Sequence, residues 1–382
     1  MAEPVRVAVV GAAGMGIAHL FAATRLKDEY RLTGVCDVDV DVARRAAADF
    51  ATDAYTSLDD LLDAGVADAV VLAVPPFLHA SMTRRALDAG LHVYCEKPLA
   101  PTARECDELA AATAVSGRVV QVGCQHRFQQ SYVAARELIV AGEIGEVFRA
   151  TLVATNWFRT QRYFDARPWR GRWAAVGGGV LLSQAIHQLD AFVWLVGPPA
   201  RVAGEAWRTL HTAEVEDEAT AVLRFSNGAR GTLLASTVDP VGTDRIEIHG
   251  ASGTLVLDGF GLRVARFDGP VERLCADGSD EFPKVAVHWE DAVVSQGGEG
   301  EWFDLVADTH RDFIAAIRGE RAPRNTPVEA TKAVELANAV YLSAVRGRAV
   351  DLPLDRGAYD EVFRELCEGR VALPHAGPLA SS

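Results

Sequence analysis

The chain has 382 residues, 49% hydrophobic and 24% charged, which is enough for two domains with substantial cores and excludes a disordered protein. A formal net charge of −14 argues against a nucleic-acid partner, which would need a basic face. The opening MAEPVRVAVVGAAG enters a strand pattern at once, with no basic region and cleavage site, so no secretory leader is expected. No apolar run approaches the roughly 18 residues of a membrane span, so no membrane partner is expected either. Six cysteines (Cys36, Cys95, Cys106, Cys124, Cys275, Cys367) are scattered without a C-x-x-C pair. That is the pattern of reduced thiols in a cytoplasmic protein, and it gives no ligand set for a metal.

In chain order, 5–11, 31–37, 68–75, 91–98 and 118–124 are short apolar runs that predict strands. Helical patterns lie between them at 17–26, 41–50 and 102–114, the last opened by Thr102 and Glu105 at capping-box spacing. Such alternation predicts a doubly wound parallel sheet. After about residue 125 the pattern changes to longer alternating runs, which predict an open antiparallel or mixed sheet. Asn227-Gly228 between two such runs is a hairpin signal. A helix is expected over 179–197, and further helices near 301–318, 328–346 and 356–368. The division expected is 1–124 for the doubly wound domain and 125–382 for a second α+β domain.

The first strand ends in Gly11-Ala12-Ala13-Gly14-Met15-Gly16. Against G-x-G-x-x-G, Gly11 and Gly16 match, and the middle glycine is Ala13 with Gly14 beside it. Gly11 permits the tight turn, Gly16 the close helix–strand approach, and the loop between them admits a diphosphate at a helix N-terminus. Asp37 follows roughly 20 residues later at the end of the second strand, the interval of a ribose-binding carboxylate. With Val38 and Asp39 after it, Asp37 favours NAD, with NADP not excluded.

The Gly11–Gly16 turn, Asp37, AVPPFLH (73–79), CEKPLA (95–100), GCQHRF (123–128) and GGGVLLSQAIHQLD (177–190) together resemble the Gfo/Idh/MocA oxidoreductases. The resemblance covers nearly the whole chain. It implies a Rossmann domain followed by a domain with a large open sheet. It also implies oxidation of a secondary alcohol of a sugar, inositol or related polyol, or reduction of the ketone, by hydride transfer with a nicotinamide. A homo-oligomer, dimer or tetramer, is expected.

Among the residues, Lys97 at the end of the fourth long strand stands where parallel sheets bind ligands, and its ammonium suits a reacting oxygen. The resemblance makes Lys97 and His187 the proton-handling pair and makes Lys97-Pro98 a cis peptide. It places Ala73, Val74, Pro75, His79, Glu96, Lys97, Gln125, Trp169 and Arg170 with the cofactor, besides the Gly11–Gly16 loop (Ala13, Gly14 and Met15 included) and Asp37. Lys97, His126, Arg127, Ser183, Gln184 and His187 are expected at the substrate. Ser183, His187 and Asp190 fall on one face of a regular helix. Many members of that family carry an aspartate where this chain has Ser183, so either Asp190 or Glu96 gives His187 electrostatic help, or Lys97 is the main proton carrier. The segment 156–173 carries five arginines and three tryptophans, a composition suited to a polyhydroxylated or anionic ligand. Two other readings stay open: an NAD-retaining hydrolase or lyase of the same fold, and a non-catalytic dinucleotide-sensing regulator. Lys97 and His187 together argue against the regulator.

Overall fold

The computed structural model describes residues 3–276, 281–282, 284–294 and 299–376. The chain divides into two compact units, Met1–Phe128 with Gly298–Val334, and Gln129–Gly297 with Glu335–Ser382.

The first unit holds six parallel strands: β1 (Val5–Val10), β2 (Tyr30–Cys36), β3 (Ala54–Tyr55), β4 (Ala69–Leu72), β5 (His92–Glu96) and β6 (Val120–Gly123). Their spatial order is β3-β2-β1-β4-β5-β6, so the winding reverses between β1 and β4. Val7, Val9, Val70, Val71, Val93 and Tyr94 are fully buried, as strands covered on both faces require. The capping box at Thr102 and Glu105 forms as expected. The lysine–proline bond after β5 is cis.

The division at 124/125 did not anticipate that the chain returns to this unit. Val306, Ala307, Phe313 and Ile314, on the helix Glu299–Ile317, lie in the same buried cluster as Leu20, Ala23, Tyr30 and Tyr94. The helix supplies an apolar face that helix α1 (Met15–Arg25) and the sheet leave uncovered. Nothing local in 298–334 distinguishes that role from packing on the second sheet.

The second unit is built on nine strands: β7 (Val147–Ala154), β8 (Arg201–Trp207), β9 (Glu218–Arg224), β10 (Arg230–Ser236), β11 (Asp244–Gly250), β12 (Gly253–Asp258), β13 (Gly261–Phe267), β14 (Val287–Val293) and β15 (Val350–Asp351). The order is β14-β13-β12-β11-β7-β10-β9-β8-β15, antiparallel throughout except between β7 and β10. Asn227 and Gly228 join β9 to β10. The Asn227 side chain accepts from the Ala229 N–H at 3.1 Å, and Gly228 takes φ 90°. Among the described residues no single helix is long and apolar enough to cross a membrane.

The helix expected over 179–197 is broken. Val180–Gln184 form a π-helical turn, and a regular α-helix runs only from Ile186 to Val196 at 63° to the preceding segment. Ser183 therefore does not share a regular helical face with His187 and Asp190.

Candidate active site

In the first unit the carboxyl ends of β1, β4 and β5 carry the predicted groups. A Cβ on Gly11, at φ 90°, would sit 2.4 Å from the Ala73 carbonyl oxygen, and one on Gly16 would sit 1.8 Å from the Gly11 oxygen. Both positions demand glycine, one for the crossing beside β4 and one for the tight turn into α1. Gly14 faces open space and Ala13 is exposed, so the methyl that replaces the middle glycine obstructs nothing. Helix α1 opens without a side-chain cap, which suits an anion. The Asp37 carboxylate accepts from the N–H groups of Ala12 (2.9 Å) and Asp39 (3.0 Å), which aims it beside the loop. This set fits a dinucleotide: the Gly11–Gly16 loop for the diphosphate and Asp37 for the ribose hydroxyls.

Glu96 ends β5 and is only 4% exposed. Its carboxylate accepts from His19 Nε2 at 3.1 Å, from Gln125 Nε2 at 3.3 Å and from the backbone N–H of Lys97 at 3.2 Å. Behind it, His19 Nδ1 meets His310 Nε2 at 2.8 Å, and His310 stacks on Tyr94 with centroids 4.9 Å apart. Burial alone would raise the Glu96 carboxyl. The hydrogen bond and charge of His19, with the charge of Lys97, outweigh it and hold the group below the usual range. His79 is fully buried, with Nδ1 2.7 Å from the Pro98 carbonyl oxygen and Nε2 2.8 Å from that of Val74. It thus ties the β4 exit to the segment after β5. Burial, and then the charge of Lys97, push the half-buried His126 imidazole down to about 4, so it is neutral at ordinary pH.

Two expectations change here. Gln125, expected against the cofactor, is fully buried and donates to Glu96, so its amide supports the Glu-Lys-Pro segment. Arg127, expected at the substrate, is fully buried. Its guanidinium donates to the Arg324 carbonyl at 3.0 Å and pairs with Glu329 at 3.6 Å. It ties the returning segment to its own unit, because a buried guanidinium needs acceptors on several sides.

In the second unit, Gly177-Gly178-Gly179 leads into the π turn. Gly177 has φ 77°, a Cβ on Gly178 would lie 2.1 Å from the Tyr341 hydroxyl, and one on Gly179 1.8 Å from the Glu216 carbonyl oxygen. The buried Glu216 carboxyl accepts from the N–H groups of Gly179 (2.7 Å) and Leu181 (3.0 Å) and from the Tyr341 hydroxyl (2.7 Å). Burial nevertheless drives it up to about 7. On the turn, the Ser183 hydroxyl donates to the Gly178 carbonyl at 3.1 Å. Gln184, expected to bind a substrate hydroxyl directly, accepts from Arg159 Nη2 at 2.6 Å and donates to the Tyr163 hydroxyl at 2.8 Å. Both ends of its amide are engaged, so it orders its neighbours. His187, 7% exposed, and fully buried Asp190 follow on the α-helix. Trp169 and Arg170 lie on a short 3₁₀ turn, Pro168–Gly171, with the Arg170 guanidinium 4.2 Å from the Tyr163 ring centroid.

Sequence reasoning missed His19, His310, Tyr163, Glu216 and Tyr341. The run of three glycines was the one local sign that other groups approach that turn closely.

Residues 5–124 match the family model described as an oxidoreductase family with an NAD-binding Rossmann fold, and residues 132–256 match the GFO/IDH/MocA C-terminal domain. The chain is 33% identical to an inositol 2-dehydrogenase of Leifsonia xyli, over 51% of this chain and 54% of that protein's length. It is 31% identical to inositol 2-dehydrogenase 2 of Paenarthrobacter aurescens, over 70% of this chain and 79% of that one. The fold matches the crystal structure of the WlbA dehydrogenase from Bordetella pertussis in complex with NADH and UDP-GlcNAcA. The TM-score is 0.78 at 27% identity, covering 92% of this chain and 100% of that one. With both family domains matched along one chain, it belongs to the Gfo/Idh/MocA family of NAD-binding oxidoreductases.

Proposed function

We propose that this protein oxidises a secondary alcohol of a sugar, inositol or related polyol, or reduces the corresponding ketone, with Lys97 and His187 handling the hydroxyl proton. The observation that carries the reading is the anchoring of Lys97. It follows directly on buried Glu96, whose carboxylate is held by His19 and Gln125 and takes the Lys97 N–H, at the carboxyl edge of the parallel sheet. The names of relatives point the same way: inositol 2-dehydrogenases, and a dehydrogenase crystallised with NADH and a nucleotide-linked sugar acid.

When bound, the nicotinamide supplies the hydride acceptor or donor. Lys97 presents three donors that steady negative charge developing on the substrate oxygen. His187, nearly buried at the start of its helix, is the imidazole that takes or returns the proton. Ser183 is neutral and already donates to Gly178, so it does not share this task.

The test is NADH production over a panel of sugars, inositols and sugar acids. Lys97→Ala is expected to lower kcat by about 10²- to 10⁴-fold, the range of a lost general acid–base group. NAD binding, followed by fluorescence, should survive. Turnover equal to that of the unaltered protein would remove Lys97 from the mechanism.

A further inference from the structure

Residues 156–173 hold five arginines and one acidic residue, Asp165, in a chain of net charge −14. Among the described residues none of Arg159, Arg162, Arg167, Arg170 and Arg172 pairs with a carboxylate, although carboxylates are close in the chain. Asp165 accepts from Gln161 Nε2 at 2.9 Å. Glu214 accepts from the Trp173 N–H at 3.3 Å. Asp217 is taken up by the His211 ring at 3.0 Å and by the N–H groups of Thr209, Leu210 and His211. Each local acid is thus engaged by a neutral donor or by histidine, and the arginines keep their charge uncompensated.

Two of these guanidinium groups converge on one ring. The Arg159 guanidinium carbon lies 5.2 Å from the Tyr163 centroid and that of Arg170 lies 4.2 Å from it. Trp157 and Trp169 flank them at 5.5 and 5.7 Å. Arg159 is fixed at four points. Its N–H donates to the Thr237 carbonyl at 2.8 Å, and its own carbonyl meets His211 Nε2 at 2.9 Å. Its guanidinium donates to the Phe158 carbonyl at 2.9 Å and to Gln184 at 2.6 Å. Like charges repel, and an anion that joined the two guanidiniums would relieve that repulsion. Their planar forks match the paired oxygens of a carboxylate or phosphate, and the aromatic faces leave N–H edges to donate.

We propose that Arg159 and Arg170, gathered about Tyr163 beside Gln184, are the receptor for an anionic group, a carboxylate or phosphate, carried by the polyhydroxylated substrate. This rests on the dehydrogenase reading above. It narrows the substrate class to sugar acids and sugar phosphates over neutral polyols.

The test compares glucuronate, galacturonate and glucose 6-phosphate with glucose, galactose and myo-inositol at saturating NAD, by NADH production. At least one acid should show kcat/KM about tenfold or more above its neutral counterpart, the scale of charge-assisted hydrogen bonds. Arg159→Gln and Arg170→Gln should each bring that acid-to-neutral ratio down toward one, a cut of up to about tenfold. Arg159→Lys, which keeps charge and bulk, should recover part of the ratio and controls for misfolding. NAD affinity, measured separately by calorimetry, should hold in Arg159→Gln and Arg159→Lys. A loss of NAD affinity that lowers acid and neutral turnover alike would assign the arginines to the cofactor diphosphate and overturn the proposal. Oxidation of neutral sugars in preference to acids would overturn it too, leaving the dehydrogenase reading intact. If no compound yields NADH, the dehydrogenase reading fails, and titration of glucuronate against glucose into the NAD-loaded protein still decides the anion site. Acid-selective binding lost in Arg159→Gln supports it, and equal or absent binding overturns it.

Discussion

Each unit hangs its functional segment on one buried glutamate, and the two behave oppositely. Glu96, 4% exposed, stays below the usual carboxylate range, while Glu216, 1% exposed, rises to about 7. Hydrogen bonding does not explain the contrast, since Glu216 accepts from two backbone N–H groups and a tyrosine hydroxyl. What differs is charge. Burial disfavours both carboxylates, but Glu96 faces His19 and Lys97, whereas every donor to Glu216 is neutral. Neutral donors satisfy a buried carboxyl, and a cation keeps it ionised.

The largest effect expected is from breaking this contrast at His19. His19→Leu removes the partner of a buried carboxylate and should cost about 3–5 kcal/mol in urea unfolding. It should also reverse a pH dependence. A lowered folded pKa gives Glu96 stability that is complete above its unfolded value of about 4.3 and is lost as pH falls through the folded value. Without His19 the carboxyl should behave like Glu216, losing stability as pH rises. An unaltered pH profile would sink the account given of Glu96.

Next in size is Glu216→Ala, which strands the N–H groups of Gly179 and Leu181 and the Tyr341 hydroxyl. A loss of about 2–4 kcal/mol is expected, with kcat falling as well because the π turn leads into the His187 helix. Activity retained at full stability cost would show that the turn has no catalytic bearing. Glu216→Gln sharpens the electrostatic half of the comparison. Raised to about 7, Glu216 costs nothing below its unfolded pKa, and its penalty grows with pH until it is complete above the folded value. The parent should therefore lose on the order of 2–3 kcal/mol of stability between pH 5 and 8 that the glutamine variant keeps. Parallel curves for the two proteins would contradict it.

The smallest effect belongs to Asp37, a half-buried carboxylate with two backbone donors and, among the described residues, no paired cation. Asp37→Ser should reduce the preference for NAD over NADP by about tenfold, the weight of one charge-assisted hydrogen bond. The ratio of the two dissociation constants measures it directly.

Much of the first unit was legible because its signals are local. Strand–helix alternation, the Gly11–Gly16 turn, the Asp37 interval and the Thr102 capping box can each be read along the chain, without knowing what meets them in space. The hairpin at Asn227-Gly228 was legible for the same reason. The helix over 179–197 was not. Apolar periodicity carries no sign that Glu216 and Tyr341 will pull its first turn into π geometry. Nor did GCQHRF disclose that Gln125 turns back to Glu96, or that Arg127 reaches Arg324 and Glu329.

The sequence by itself therefore determined the two architectures and the Gly11–Gly16 turn, because propensity, periodicity and turn chemistry act over a few residues. Only the tertiary structure decided which of the polar residues serve the fold and which remain available to a ligand. That depends on groups far apart in the chain, such as His19 with His310 or Arg159 with His211. A buried polar group must find its partner in space, and nothing in its immediate sequence says which one it will be.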